Sequence, residues 1–382
     1  MNMQIPLSAS DINEEDIQGV VNVLKSRYLS IGPKILEFEK KMSNYANRKY
    51  AVAVNSGTSA LHLIVRSFGI GEGDLVITSP FSFIASSNCL LFERAIPVFV
   101  DIEPNTLNLD PEKVESKIIS MKKEDISKLK ALLVVDVFGH PAQWNRFKEL
   151  ANKYSLRLIE DSAEALGSEY MGKKAGNLGE VGVFAFYPNK QMTTGEGGII
   201  VTDNKKIAEL CQSMRSQGRG VDGKWLSHVR VGYNFRMDEL AASLGCSQLD
   251  RLEDIIIKRD QVAQEYNQKL QEIQEVEVPY IANYVTRLSW FVYVIRIKKG
   301  INRDKVMQYL NQEGVQCKPY FTPIHLQPFY RKLFGYKEGD FPITENVASR
   351  TIALPFFNNL KEEQIDFVVE KLKEGIKLAV SE

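Results

Sequence analysis

The 382-residue sequence is poor in the residues that staple or ligate. It has 4 cysteines and 4 histidines. Cys89, Cys211, Cys246 and Cys317 are scattered, with no CxxC spacing. That excludes a disulfide-built scaffold and a Cys-rich zinc module, and reads as reduced, mostly core thiols of a cytoplasmic protein. His62, His140, His228 and His325 show no ligand spacing, so no metal site is expected. No apolar run approaches the length of a membrane span. The N-terminal "MNMQIPLSASDINEEDIQ" is polar and acidic, unlike a signal peptide. An excess of one charge is also missing: Lys+Arg and Asp+Glu both number 48, for a formal net charge of zero. Nothing therefore draws the whole chain to nucleic acid or to an anionic membrane. The densest charge run, 121–130, alternates in sign and reads as a solvated helix or loop. Internal repeats and low-complexity linkers are absent.

What is present is an ordinary globular composition, 44% hydrophobic and 25% charged, with length for two or three domains. Residues 14–26 and 35–45 carry helical periodicity. Short apolar runs then alternate with helical patterns. "YAVAVNS", "DLVITSP", "IPVFVDI", "ALLVVDVFG" and "LRLIEDS" read as strands. "TSALHLIVRSFG", "FSFIASSNCLLFER" and "PAQWNRFKELANKY" read as helices, the last beginning on its proline. Continuous apolar strands in βα alternation predict a mostly parallel sheet with helices on both faces. "GVFAFYP" and "GGIIVTD" close the series too near each other for a crossover helix, so one of them is expected to be antiparallel. From "MDELAASLGCSQLDRLEDIIIKRDQVAQEYNQKL" onward the character changes. This stretch predicts one long helix kinked near Gly245, leading to "WFVYVIRI", "NRDKVMQYLNQEG" and "KEEQIDFVVEKLKEGI". The expected division is a large α/β domain over residues 1–250, with an N-terminal helical arm, and a small α+β domain over 251–382.

Ligands of open α/β sheets sit at the carboxyl ends of strands. Four features fall there. Gly57-Thr58-Ser59 opens a helix, where free amides and the dipole suit a phosphate, although Thr58 or Ser59 also suits a plain N-cap. Glu160 and Asp161 end a strand, and by alternation only one faces the active edge. A carboxylate there could hold a heteroaromatic nitrogen protonated. Phe83 offers a flat stacking surface, or else a core aromatic. Lys190 closes an apolar run, where burial would lower its pKa and make the amine a nucleophile toward a carbonyl, unless the side chain snorkels to solvent. Together the four suit pyridoxal 5′-phosphate (PLP).

In order along the chain, "NSGTSALHL", "IEDSAEALGSEYMGKKAGNLG", "FYPNKQMTTGEGG" and "VGYNFRMDELAASLGCSQL" resemble the DegT/DnrJ/EryC1/StrS sugar aminotransferases. That resemblance covers nearly the whole chain. It implies the fold type I architecture of PLP-dependent transferases, PLP as cofactor, and a nucleotide-linked keto-sugar and an amino acid, L-glutamate by analogy, as reactants. By the same resemblance Lys190 would bond to the cofactor aldehyde and then move a proton, and Asp161 would pair with the pyridine nitrogen. Glu164 would contact the cofactor's hydroxyl edge, Phe83 would cover the ring, and Gly57, Thr58 and Ser59 would hold the phosphate. Asn234 would reach the phosphate from a neighbouring subunit, implying a homodimer with active sites at its interface. His325 would line the sugar-nucleotide pocket, and the loops 28–32, 218–228 and 319–329, including Ser30 and Tyr320, would supply substrate contacts. Two other activities remain open from sequence, a PLP-dependent sugar dehydratase and a regulatory PLP-binding protein; relatives that dehydrate typically carry His in place of the lysine. One departure stands out: Ala185 occupies a position where the family often has a phosphate-binding serine.

Overall fold

The computed structural model describes residues 3–220 and 226–380. The apolar runs become β1 (Tyr50–Val54), β2 (Leu75–Thr78), β3 (Ile96–Phe99), β4 (Leu129–Val135) and β5 (Arg157–Asp161), followed by strands Val181–Ala185 and Gly198–Thr202. They form one seven-stranded sheet in the order β1, Gly198–Thr202, Val181–Ala185, β5, β4, β2, β3. Gly198–Thr202 runs antiparallel to both neighbours, and every other pairing is parallel. The short connection therefore gives the one antiparallel strand expected of it.

The strands are apolar throughout because both faces are covered. Along β4, Leu133 and Val135 pack in a core with Leu61 and Ile64 of a helix over Gly57–Ser67 and with Ile207 and Cys211 of another over Lys205–Arg215. Leu132 and Val134 point the other way, against Trp144 and Phe147 of helix Trp144–Tyr154 and Val114 of Pro111–Ser120. This is the two-residue alternation of a strand buried on both sides.

Several boundaries differ from the sequence reading. Helix Trp144–Tyr154 begins three residues after Pro141. The helix expected over 81–94 is confined to Ala85–Leu91. Helices Pro111–Ser120, Lys205–Arg215, Pro328–Phe334 and Pro342–Ala348 were not anticipated. The long helix breaks at Arg251, into Glu239–Asp250 and Leu252–Leu270, and not at Gly245. Gly245 lies inside a continuous helix, where a Cβ would come within 2.7 Å of the Phe38 ring. Its glycine serves close helix packing against Pro33–Tyr45 rather than a bend.

A second, antiparallel sheet joins Val276–Glu277, Tyr293–Ile297 and Thr351–Leu354. It packs its own core against helices Leu252–Leu270, Arg303–Gln312 and Glu362–Val380. Ile5, grouped with the first 250 residues in the sequence division, is buried in this second core and pairs its backbone with Gly314 and Gln316.

The end of β5 sorts its two acids by alternation. Glu160 turns away from the active edge and is wholly buried. Its carboxylate accepts from the amides of Gly176, Leu178 and Gly179 and from the Ser162 hydroxyl. It thus organises the loop between β5 and the strand that leads to Lys190. Replacing Glu160 with Ala strands several buried donors, so the expected loss is about 3–5 kcal/mol of unfolding free energy, read by urea denaturation.

Candidate active site

A cavity of about 490 Å³ opens at the carboxyl ends of the parallel strands, within the roughly 300–1,000 Å³ usual for small-molecule sites. Its walls bring together Gly57, Thr58, Phe83, Asp161, Glu164, Ala185, Lys190 and Tyr320. These come from four strand ends and, for Tyr320, from a loop beyond the second sheet's first two strands.

The strand before the lysine ends at Ala185, so Lys190 does not cap a strand. It stands on a turn closed by its own amide donating to the Tyr187 carbonyl at 2.9 Å. Its side chain is 12% exposed. The ammonium lies 3.7 Å from Glu164 Oε1 and 3.7 Å from the centre of the Phe291 ring. Burial pushes the lysine pKa down, against the pull of Glu164 and Asp161. Asp161 is buried; its Oδ2 accepts from Ser86 Oγ at 2.7 Å and its Oδ1 from the Ala163 amide at 3.2 Å. Burial raises its pKa, opposed by Ser86, Ala163 and Lys190. Glu164 is held by the Phe138 amide at 2.8 Å, and burial raises its pKa also, opposed first by Lys190.

The cradle differs in detail from the expectation. Ser56, not Thr58 or Ser59, caps the helix Gly57–Ser67, its hydroxyl accepting from the Ser59 amide at 3.1 Å. The Ser59 hydroxyl donates to Asn55 Oδ1 at 2.7 Å and lies 2.9 Å from Ser56 Oγ, and Ser59 does not line the cavity. Helix geometry leaves the first amides without partners, and Gly57 and Thr58, which bear two of them, line the cavity. A Cβ on Gly57 would approach the Ala185 methyl to 2.8 Å. A Cβ on Gly198 would meet the Ser56 carbonyl carbon at 2.5 Å, so the glycine-rich turn lets its strand lie directly against the cradle.

Besides Ser59, three anticipated residues are not at the cavity. His325 is fully buried, 3.1 Å from Glu345 and edge-on to the Phe341 ring, and it does not line this cavity. Ser30 and Asn234 are exposed and contribute nothing to the cavity walls. Of the 218–228 loop, residues 221–225 lie outside the described residues. Conversely, Ser86, Tyr187, Glu196 and Phe291 line the cavity and were not assigned to it. Nothing in the local sequence marks Phe291, which arrives from the second sheet.

The donor set fits PLP. Asp161 is a carboxylate buried without a cation in contact, which a protonated ring nitrogen would supply. Gly57 and Thr58 offer amides to a phosphate, Phe83 offers a ring face, and Lys190 offers an amine whose charge burial already disfavours. Asn189 Oδ1, beside the lysine, is buried with no partner.

The family model described as the DegT/DnrJ/EryC1/StrS aminotransferase family matches residues 10–373. The chain belongs to that family. It is a PLP-dependent sugar aminotransferase. It is similar to a GDP-perosamine synthase of Caulobacter vibrioides, at 36% identity over 95% of each chain. Among solved structures it is similar to Helicobacter pylori PseC, an aminotransferase involved in pseudoaminic acid biosynthesis, with a TM-score of 0.92 and 28% identity over 98% of this chain and 100% of that one. It is also similar to the PLP form of the putative sugar aminotransferase Spr1654 from Streptococcus pneumoniae, with a TM-score of 0.92 and 26% identity over 99% and 100% of the chains.

Two outcomes follow from this geometry. Ser86→Ala removes a hydrogen bond that favours ionised Asp161, so Asp161 takes up its proton at higher pH. The acidic limb of the pH–rate profile should move upward by about one unit. Ala185→Ser adds a donor beside Gly57. It should tighten PLP binding by about tenfold, measured by dialysis against graded PLP, whereas Gly57→Ala should weaken it at least as much.

Proposed function

We propose that this protein transfers an amino group from an amino acid, L-glutamate by family analogy, to a nucleotide-linked keto-sugar, working as a cytoplasmic homodimer. The observation that carries the reading is the convergence of Lys190, Asp161 and the Gly57–Thr58 amides on one cavity. The GDP-perosamine synthase relatives support a nucleotide-linked sugar as acceptor.

PLP would supply the electron-accepting ring that makes amino transfer possible. The chain's own residues supply the rest. The Gly57 and Thr58 amides bind the phosphate and fix the ring's position. Asp161, whose ionised form the Ser86 hydroxyl favours, would pair with the protonated ring nitrogen. Lys190 would hold the cofactor and would then give and take the one proton that the transfer moves. Glu164, 3.7 Å from the ammonium, balances its charge. Phe83, Tyr187 and Tyr320 wall the cavity where the sugar would enter.

The dimer is supported by a surface feature. Ser30 pairs with Asp238 across an isolated bridge, so the loop around Ser30 and the segment bearing Asn234 lie together. Leu29, Ile31, Leu36, Val229 and Val231, at 51–69% exposure, give these segments an apolar surface. Such a patch suits a second copy of the chain. On this reading Asn234 serves the neighbouring cavity. The four cysteines are buried and free, and among the described residues no helix is long and apolar enough to cross a membrane.

Adding L-glutamate to the PLP-loaded protein should bleach its visible band and release one equivalent of 2-oxoglutarate; no change with any amino donor would sink the reading. Lys190→Ala should lower turnover by about a thousandfold or more while the fold persists. Asn234→Ala should weaken PLP retention although the residue is absent from its own cavity, and sedimentation should show a dimer.

A further inference from the structure

Lys190 meets a neighbour that the reaction does not call for. Its ammonium lies over the face of Phe291, 3.7 Å from the ring centre. Phe291 is 3% exposed and stands two residues before the second sheet's strand Tyr293–Ile297. It belongs to the part of the chain whose one polar group on the cavity wall is the Tyr320 hydroxyl.

Two buried arrangements hold that ring in place. Arg259, on the helix Leu252–Leu270, donates to the carbonyls of Trp290 at 2.6 Å and Phe291 at 2.8 Å, and to Asn358 Oδ1 at 2.9 Å. Ser289 is tied in the opposite direction. Its amide donates to Ser168 Oγ at 3.0 Å, and the two serine hydroxyls are 2.9 Å apart. Gln191, the residue after the lysine, donates from Nε2 to Ser289 Oγ at 2.9 Å and to the Glu164 carbonyl at 2.6 Å. Ser168 in turn donates to the Gly139 carbonyl at 2.7 Å. All three of these polar side chains are buried, Gln191 at 3% exposure and both serines at 0%. One network thus fixes the residue beside the ammonium, the residue bearing the carboxylate opposite it, and the segment carrying the ring.

An aromatic face attracts a cation and displaces water from it. The other charged or titratable groups around the amine are the Glu164 and Asp161 carboxylates, with Glu196, Tyr187 and Tyr320 on the cavity wall. We propose that Phe291 is a positioning residue for the Lys190 amine: its ring sets where the nitrogen stands and favours its charged form, and the Gln191–Ser289–Ser168 network keeps the ring in register. This rests on the reading of Lys190 as the cofactor-bearing lysine. It makes the second sheet a determinant of the lysine's reactivity.

The test uses the full chain stripped of PLP. Lys190 is acylated with acetic anhydride across a pH series, and its modification is read by peptide mass spectrometry. Phe291→Leu keeps the site apolar but removes the ring, so the lysine should lose its proton more readily and the midpoint should fall by about one pH unit. Phe291→Tyr retains the ring and should restore the wild-type midpoint. Gln191→Met loosens the ring's support and should move the midpoint in the same direction by less. A Phe291→Leu midpoint equal to or above wild type would overturn the proposal. Should that variant not fold, an unchanged Gln191→Met midpoint does the same. Whether PLP attaches to Lys190 at all is read separately, from the borohydride-fixed mass of the wild-type protein. Its failure there would overturn the proposed function and leave the midpoint comparison intact.

Discussion

The site depends on charge that the fold buries without fully neutralising. Lys190, Glu164 and Asp161 share one cavity, yet the nearest approach among the lysine and its carboxylates is a loose 3.7 Å contact with Glu164. Burial pushes all three toward their neutral forms. An arrangement of this kind is costly for a chain on its own. It becomes favourable when a ligand brings the missing partners: a cationic ring nitrogen for Asp161, an aldehyde for the amine and a phosphate for the open amides of the helix. The strand ends, the glycine-rich turn and the buried Glu160 knot are the scaffolding that keeps these groups facing one another.

That scaffold separates two tasks assigned to neighbouring residues. Glu160 and Asp161 are adjacent, and strand alternation sends one into the loop Gly176–Gly179 and the other into the cavity. The first carboxylate has enough donors to remain buried as a structural clasp. The second has two, Ser86 and the Ala163 amide, and retains capacity for a ligand. The difference between a structural acid and a functional one is here a difference in how many hydrogen bonds the fold provides.

Much of this was legible in the residues. Alternating apolar runs and helical periodicity predict the mostly parallel sheet, and the short link between "GVFAFYP" and "GGIIVTD" predicts its antiparallel strand, because no crossover helix fits there. The strand-end rule places Asp161, Lys190 and the Gly57–Thr58 turn at one edge. Misreadings came where a residue's local type suits two environments. Gly245 suits a kink or a close helix contact, and only the Phe38 ring against it decides. Ser59 suits a phosphate or a local hydrogen bond, and Asn55 claims it. His325 suits a pocket wall or an interior hydrogen bond, and Glu345 with an aromatic cluster claims it.

By itself, the sequence determined the chemistry: which side chains stand at strand ends, and hence which reaction they can serve. Periodicity and turn residues act over a few positions, and they are enough to set those local placements. Only the tertiary structure decided which hydroxyl supports Asp161 and that Phe291 covers the lysine. Those contacts join residues far apart in the chain, and their geometry follows from how the two sheets and their helices pack, which no local pattern encodes.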